Sequence, residues 1–224
     1  MEDWRNLFSD RVYAALEKDD DEARALLRAL SEEVDRTSHE LSESEAIYLK
    51  VFALSHMPSI DEREALHVRD LVHRIEPDSY FLWAGLFQSV LALYYAGIHG
   101  TCLEEIARMG MPPDLDDAHM WRWLKVLEIA LACRLYLAPG LVRPEDVRDF
   151  FSQLFGLMAP EDAAVPEELL SAFTEIAGRT MSEELRRKTK ESFEVFRSQV
   201  ALLDLGSLFS EDLDAIGAAL GGES

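Results

Sequence analysis

Three histidines in this sequence each follow a carboxylate by three residues: Glu64-x-x-His67, Asp70-x-x-His73 and Asp116-x-x-His119. On a helix this spacing sets acid and imidazole on one face, the arrangement by which helical bundles hold metal ions between bridging glutamates. Several features argue against a shared site here. His67 and His73 are six residues apart, about 600° of helical rotation, so they leave one helix in different directions. Ala65, Val68, Val72 and Ile75 form the apolar stripe of that segment, which places Asp70 and His73 at its polar edge. Apart from Glu128, no glutamate lies inside an apolar helical segment to act as a bridge. These residues are read as solvated surface groups, with no metal and no cofactor expected.

The remaining chemistry-bearing residues lead to the same conclusion. Glu128, in WRWLKVLEIALACRLYL, is read as an ion-pair partner of Lys125 or Arg134 on a partly buried face. His99 precedes Cys102 by three residues, but Gly100 lies between them and no third group is positioned to orient the imidazole, so a Cys–His nucleophile is not supported. Glycine-rich phosphate loops, GxSxG elbows, HExxH and zinc spacings are all missing. The expectation is a protein that is not an enzyme. Arg186, Arg187, Lys188 and Lys190 make the one basic cluster, and Glu183, Glu184, Glu191 and Glu194 surround it. That mixture reads as an exposed helix laced with ion pairs, not a nucleic-acid surface.

Helices must position whatever function there is. Apolar residues recur at three and four along the chain, as in Trp4, Phe8, Val12 and Leu16, then Ala23, Leu26, Leu27, Leu30 and Val34. Capping boxes are predicted at Ser42 with Glu45, Ser59 with Glu62, Thr101 with Glu104 and Thr180 with Glu183. Pro58, Pro77, Gly97 to Gly100, Gly110 to Pro113, Pro139-Gly140 and Pro160 punctuate the periodic stretches. No segment alternates with period two. The expected fold is all-α without a sheet, with about eleven helices starting near residues 3, 20, 42, 60, 79, 101, 115, 144, 166, 181 and 211. Short connections predict antiparallel helical hairpins. Residues 1–224 are expected to form a single domain, with a soft boundary near 138–144 and residues 144–224 as a C-terminal subdomain. Tyr80 to Ile98 is apolar on nearly all sides, but Gln88 and Ser89 interrupt it, so it is read as a buried core helix and not a membrane span.

Three of these starts, 42, 79 and 115, are 37 and 36 residues apart, the spacing of stacked helical hairpins. Ala65, then Ile75-Glu76-Pro77, then Trp83 and Leu86 resembles a tetratricopeptide repeat junction: a small residue in a second helix, a proline at its end, and Trp and Leu in the next. The resemblance covers roughly residues 42 to 98 and implies a groove-forming interaction scaffold. It assigns no binding residues.

Charge points toward a class of partner. Asp and Glu number 43 against 22 Lys and Arg, for a net charge of −21 over 224 residues. The excess is spread evenly: the first 112 residues hold 22 acids and 11 bases. Such a surface repels phosphates and anionic lipid and favours basic partners. Cys102 and Cys133 define no disulfide framework, and the acidic MEDWRNLF start has no basic, apolar leader pattern, so a cytoplasmic location is expected. The chain is therefore read as a non-enzymatic acidic protein-binding module, an inhibitor or immunity-type protein that captures a basic partner. The alternative is a helical-repeat adaptor that binds a peptide through an aromatic-lined groove. A third reading is a helical or metal-carboxylate enzyme. Candidate contact residues are Trp83, Tyr94, Trp121 and Trp123, with Asp114, Asp116 and Asp117. Leu208, Phe209, Leu213, Ile216 and Leu220 could form a small amphipathic docking helix.

Overall fold

Local signals start the helices, and the apolar stripes then decide which helix lies on which. A computed structural model of the chain describes residues 2–37, 41–112, 117–137 and 183–202, together with Asp214, Gly217 and Ala218. These residues hold eight helices: α1 Glu2–Leu16, α2 Asp20–Thr37, α3 Glu43–Ser55, α4 Glu62–Val72, α5 Phe81–Tyr95, α6 His99–Met109, α7 Asp117–Leu137 and α8 Glu183–Leu202. Among the described residues there is no strand. Among the described residues the count is eight, against the eleven expected for the whole chain. Starts near 144 and 166 lie outside the described residues, and near 211 only Asp214, Gly217 and Ala218 are described, all helical.

Two of the predicted caps move. Helix α4 starts from Asp61, whose side chain accepts the Glu64 amide at 2.8 Å while the Glu64 carboxylate accepts the Asp61 amide at 3.1 Å. The predicted box at Ser59 fails because Ser59 sits at φ +52, far from the extended backbone an N-cap needs. Helix α6 starts two residues before Thr101, because the Cys102 amide already donates to the Ile98 carbonyl at 2.9 Å. The predicted cap at Ser42 is present, its hydroxyl accepting from the Glu45 amide at 3.2 Å. Thr180 lies outside the described residues.

The chain divides into two compact units, Met1–Gly110 and Met111–Ser224. The division falls within the Gly110 to Pro113 punctuation. In the first unit α1 packs on α2, α2 on α3, α3 on α4 and α5, and α5 on α4 and α6. Helix α5 is central because it is apolar on nearly every side: Trp83, Leu86, Phe87, Val90 and Leu93 are buried together with Gln88 and Ser89. Each such large side chain contributes roughly 1.5–3 kcal/mol relative to exposure. Gly85 lets the end of α4 approach, since a Cβ there would lie 2.9 Å from Ile75 Cδ1 and 3.5 Å from Val72 Cγ1. No helix among the described residues is long and apolar enough to cross a membrane.

In the second unit, α7 buries Val126, Ile129, Leu131, Ala132 and Cys133, and α8 buries Phe193. The outer face of α8 carries the Arg187–Glu191 pair, which agrees with the ion-pair reading of its basic cluster. Arg197 Nη2 binds Asp214 at 2.8 Å. Cys102 and Cys133 are both buried thiols.

Candidate functional site

Tyr48, Phe52 and His56 follow one another at intervals of four, so they share one face of α3 and its C-terminal cap. That face does not end at α3. Tyr13 of α1 meets Phe52 edge-on, with ring centroids 6.0 Å apart at 85°, and meets His56 at 5.8 Å and 89°. On the other side Tyr48 stacks on Phe81 of α5 at 5.4 Å, and Tyr80 meets Phe81 edge-on at 5.8 Å. Within α3 the rings of Tyr48 and Phe52 lie 6.2 Å apart, and those of Phe52 and His56 4.6 Å. One continuous aromatic row therefore crosses the first, third and fifth helices. Its ends are open: Tyr13 is 53% exposed and Tyr80 75%, while Tyr48, Phe52 and Phe81 are half-buried.

Acids flank the row. Asp10 stands three before Tyr13 on α1 and Glu17 four after it, just past the helix end, and Asp78 precedes Tyr80 by two; all three are exposed. Nearby basic side chains are drawn off it toward α2. Arg11 binds Glu33 through two bonds of 2.8 and 2.7 Å, and Lys50 binds Asp35 at 2.8 and 2.9 Å. Burial pushes the His56 imidazole below its usual pKa, against the opposing effect of its contact with the Phe52 carbonyl at 2.7 Å. The row consequently presents neutral rings edged by carboxylates at neutral pH.

Beside His56 the row runs into a cleft of about 440 Å³, walled by residues 55–60 with Leu91 and Tyr95. Its loop is clasped from behind. Arg24 of α2 donates to the Pro58 carbonyl at 2.7 Å and the Ser59 carbonyl at 3.3 Å, and also binds the Glu64 carboxylate at 2.5 Å. Arg28 reaches the same carboxylate at 2.7 Å. Burial alone would raise the Glu64 pKa. Hydrogen bonds from Arg24, the Asp61 amide and Arg28 outweigh it and hold the group down at about 2.

A depressed carboxyl stabilises the fold most above its ordinary value of 4.5, and that contribution is lost as pH falls from there toward about 2. With Glu64 only 16% exposed, the contribution at neutral pH is roughly 2–3 kcal/mol. Urea unfolding at pH 7 is expected to show Glu64→Gln less stable by about that amount. Near pH 2.5 the wild type and the variant should approach one another. A variant as stable as the wild type at pH 7 would refute the clasp.

A second buried carboxylate joins α4, α5 and α6. Glu105 lies 3.4 Å from Arg69 Nε and 3.0 Å from His73 Nε2, and it accepts from Ser89 Oγ at 3.2 Å. Glu128 on α7 is held by Lys125 at 2.8 Å, as its sequence position suggests. In the first unit Glu64 is taken by arginines and His73 turns toward Glu105, so the Glu64–His67 and Asp70–His73 spacings build no shared site. Among the described residues no group of three or more metal-ligating side chains could hold an ion.

The contact residues predicted from sequence fall in both units, and two of them lie outside the described residues. Trp83 is 6% exposed, stacked on Phe87 at 6.4 Å, with its ring nitrogen donating to the Gly110 carbonyl at 3.5 Å. A partner could reach it only by opening the core. Tyr94 is half-buried against Tyr95 and His99. Trp121 and Trp123 lie on α7 in the second unit, Trp123 half-buried. Asp117 opens α7, while Asp114 and Asp116 lie outside the described residues, as do Leu208, Phe209, Leu213, Ile216 and Leu220. The aromatic row escaped sequence reading. Its one legible signal was the i, i+4, i+8 series of Tyr48, Phe52 and His56.

No family model, curated protein or solved structure matches this chain.

Proposed function

We propose that residues 1–110 are a non-catalytic protein-binding module that captures a basic partner on the face carrying Tyr13, Tyr48, Phe52, Phe81 and Tyr80. The observation that carries this reading is the half-exposed aromatic row crossing three helices with acids along it. Aromatic rings supply large contact area at low entropic cost, and their faces attract guanidinium and ammonium groups. The surrounding charge accelerates encounter: 22 acids and 11 bases in residues 1–112 leave this half at −11.

The helix contacts support a hairpin array beneath the row. Reading α1–α2, α3–α4 and α5–α6 as three stacked hairpins accounts for α3 touching α5, α2 touching α3 and α4 touching α5. It also accounts for Tyr13 of the first hairpin reaching Phe52 of the second. The first helices of the hairpins then line one face, and that face is where the row lies. An acidic inhibitor of the immunity type and a repeat adaptor are both served by this surface. The two buried thiols suit a reducing compartment such as the cytoplasm.

Salt separates these readings. Full-length protein is immobilised and exposed to host lysate at low salt and at roughly 1 M salt, where the screening length is about 3 Å. A basic partner released at 1 M salt, and not retained by Asp10→Lys/Glu17→Lys, is the expected result. A partner held equally by wild type and charge-reversed protein at both salt concentrations would exclude electrostatic capture. It would favour the adaptor reading if Tyr13→Ala then released it.

A further inference from the structure

We infer that the cleft at the end of the aromatic row, walled by His56, Met57, Ile60, Leu91 and Tyr95, is an anchor pocket for one apolar side chain of the basic segment bound along the row. This rests on the reading of the row as the binding face, and it adds what the segment must carry. The cleft holds about 440 Å³, a size that encloses a ligand group. It opens beside His56, whose ring touches both Tyr13 and Phe52, so row and cleft form one surface.

The chemistry of the occupant follows from which wall groups are already engaged. Ser55 Oγ donates to Gln88 Oε1 at 2.8 Å, and His56 Nδ1 is 2.7 Å from the Phe52 carbonyl. The carbonyls of Pro58 and Ser59 accept from Arg24. Beside these, Met57, Ile60, Leu91 and the Tyr95 ring offer carbon, the Ser59 and Tyr95 hydroxyls are neutral, and no Asp, Glu, Lys or Arg lines the cleft. A charged occupant would lose its hydration against walls that offer little in return. A leucine, isoleucine or phenylalanine side chain would gain by leaving water. The acidic surroundings select a segment whose other residues are arginine or lysine.

The pocket is also preformed. Ser59 is held in the left-handed region at φ +52. Arg24 grips the two successive carbonyls of Pro58 and Ser59 and is itself fixed by Glu64. A wall already ordered before binding costs little further entropy when it is filled.

The test is a phage library of random twelve-residue peptides panned against the full chain and against Leu91→Asp and Tyr95→Ser. Enriched peptides are then synthesised and titrated by fluorescence anisotropy. They are expected to carry basic residues with an apolar residue at one fixed position. Alanine at that position should weaken binding to the wild type roughly tenfold, and to either variant by about twofold or less. Thermal melts by circular dichroism identify a misfolded variant, and Tyr95→Ser, at an exposed position, keeps the comparison available if Leu91→Asp unfolds. Basic peptides with no fixed apolar position, or an alanine effect equal in wild type and variants, would overturn the anchor pocket while leaving the row intact. Peptides without basic residues, peptides indifferent to Tyr13→Ala, or no enrichment at all would overturn the row reading and the pocket with it.

Discussion

Glu105→Ala is expected to destabilise the first unit by about 3–5 kcal/mol, enough to cancel much of the stability of an ordinary domain. The Glu105 side chain is 1% exposed. Removing it strands the Ser89 hydroxyl, itself fully buried, and deprives Arg69 and His73 of the carboxylate they converge on. The cost lies less in the lost attraction than in the Ser89 hydroxyl left without its acceptor in a dry interior. Urea denaturation with tryptophan fluorescence would measure it, because Trp83 reports on the α5 environment. The double variant Glu105→Ala/Ser89→Ala should be less damaging than the sum of its parts, since the hydroxyl that loses its acceptor is gone too. A single-variant loss below about 1 kcal/mol would mean that the three helices hold together without this group.

Tyr13→Ala/Tyr80→Ala should produce the opposite pattern, little change in stability and a large loss of binding. Both rings are more than half exposed, so their removal forfeits edge contacts with Phe52, His56 and Phe81 and little core, about 1 kcal/mol in all. As outlying contacts of a binding row, two tyrosines would each be worth about 2 kcal/mol, so the pair should weaken partner affinity by 100-fold or more, roughly. Calorimetry or anisotropy with the captured partner, set beside a thermal melt, reads both quantities. Binding within about threefold of wild type would remove the row from the interface. Trp83→Phe supplies the contrast, because that residue sits in the core with its ring nitrogen on the Gly110 carbonyl, so its effect should appear in the melt and not in the affinity.

Helical class, the places where most helices begin and the central burial of the 81–95 segment were legible because they depend on short-range rules. Period, capping residues and proline or glycine stops act within one or two turns, and between Ser42 and Gly110 they place each helix start to within two residues. The failures were also local. The Ser59–Glu62 box had the right spacing, but Ser59 was needed in a left-handed turn and Asp61 took the cap. The Thr101–Glu104 box was overtaken when α6 gained an earlier turn from Ile98.

Residues that act together across helices could not be read this way. Tyr13, Phe52 and Phe81 are 39 and 29 residues apart, and only the packing of α1, α3 and α5 sets them in one row. Glu105 looks like an ordinary polar residue within HGTCLEEIARM, yet it is the buried centre of a network drawn from α4, α5 and α6. Trp83, prominent in the sequence, went inside because α5 is surrounded. By itself the sequence determined an acidic, helical chain with its strongest apolar helix at the centre, because composition and periodicity are properties of neighbours along the backbone. Which aromatic rings face outward, which carboxylates are buried and where a cleft opens were decided by tertiary structure, because burial depends on what the rest of the chain places opposite each side chain.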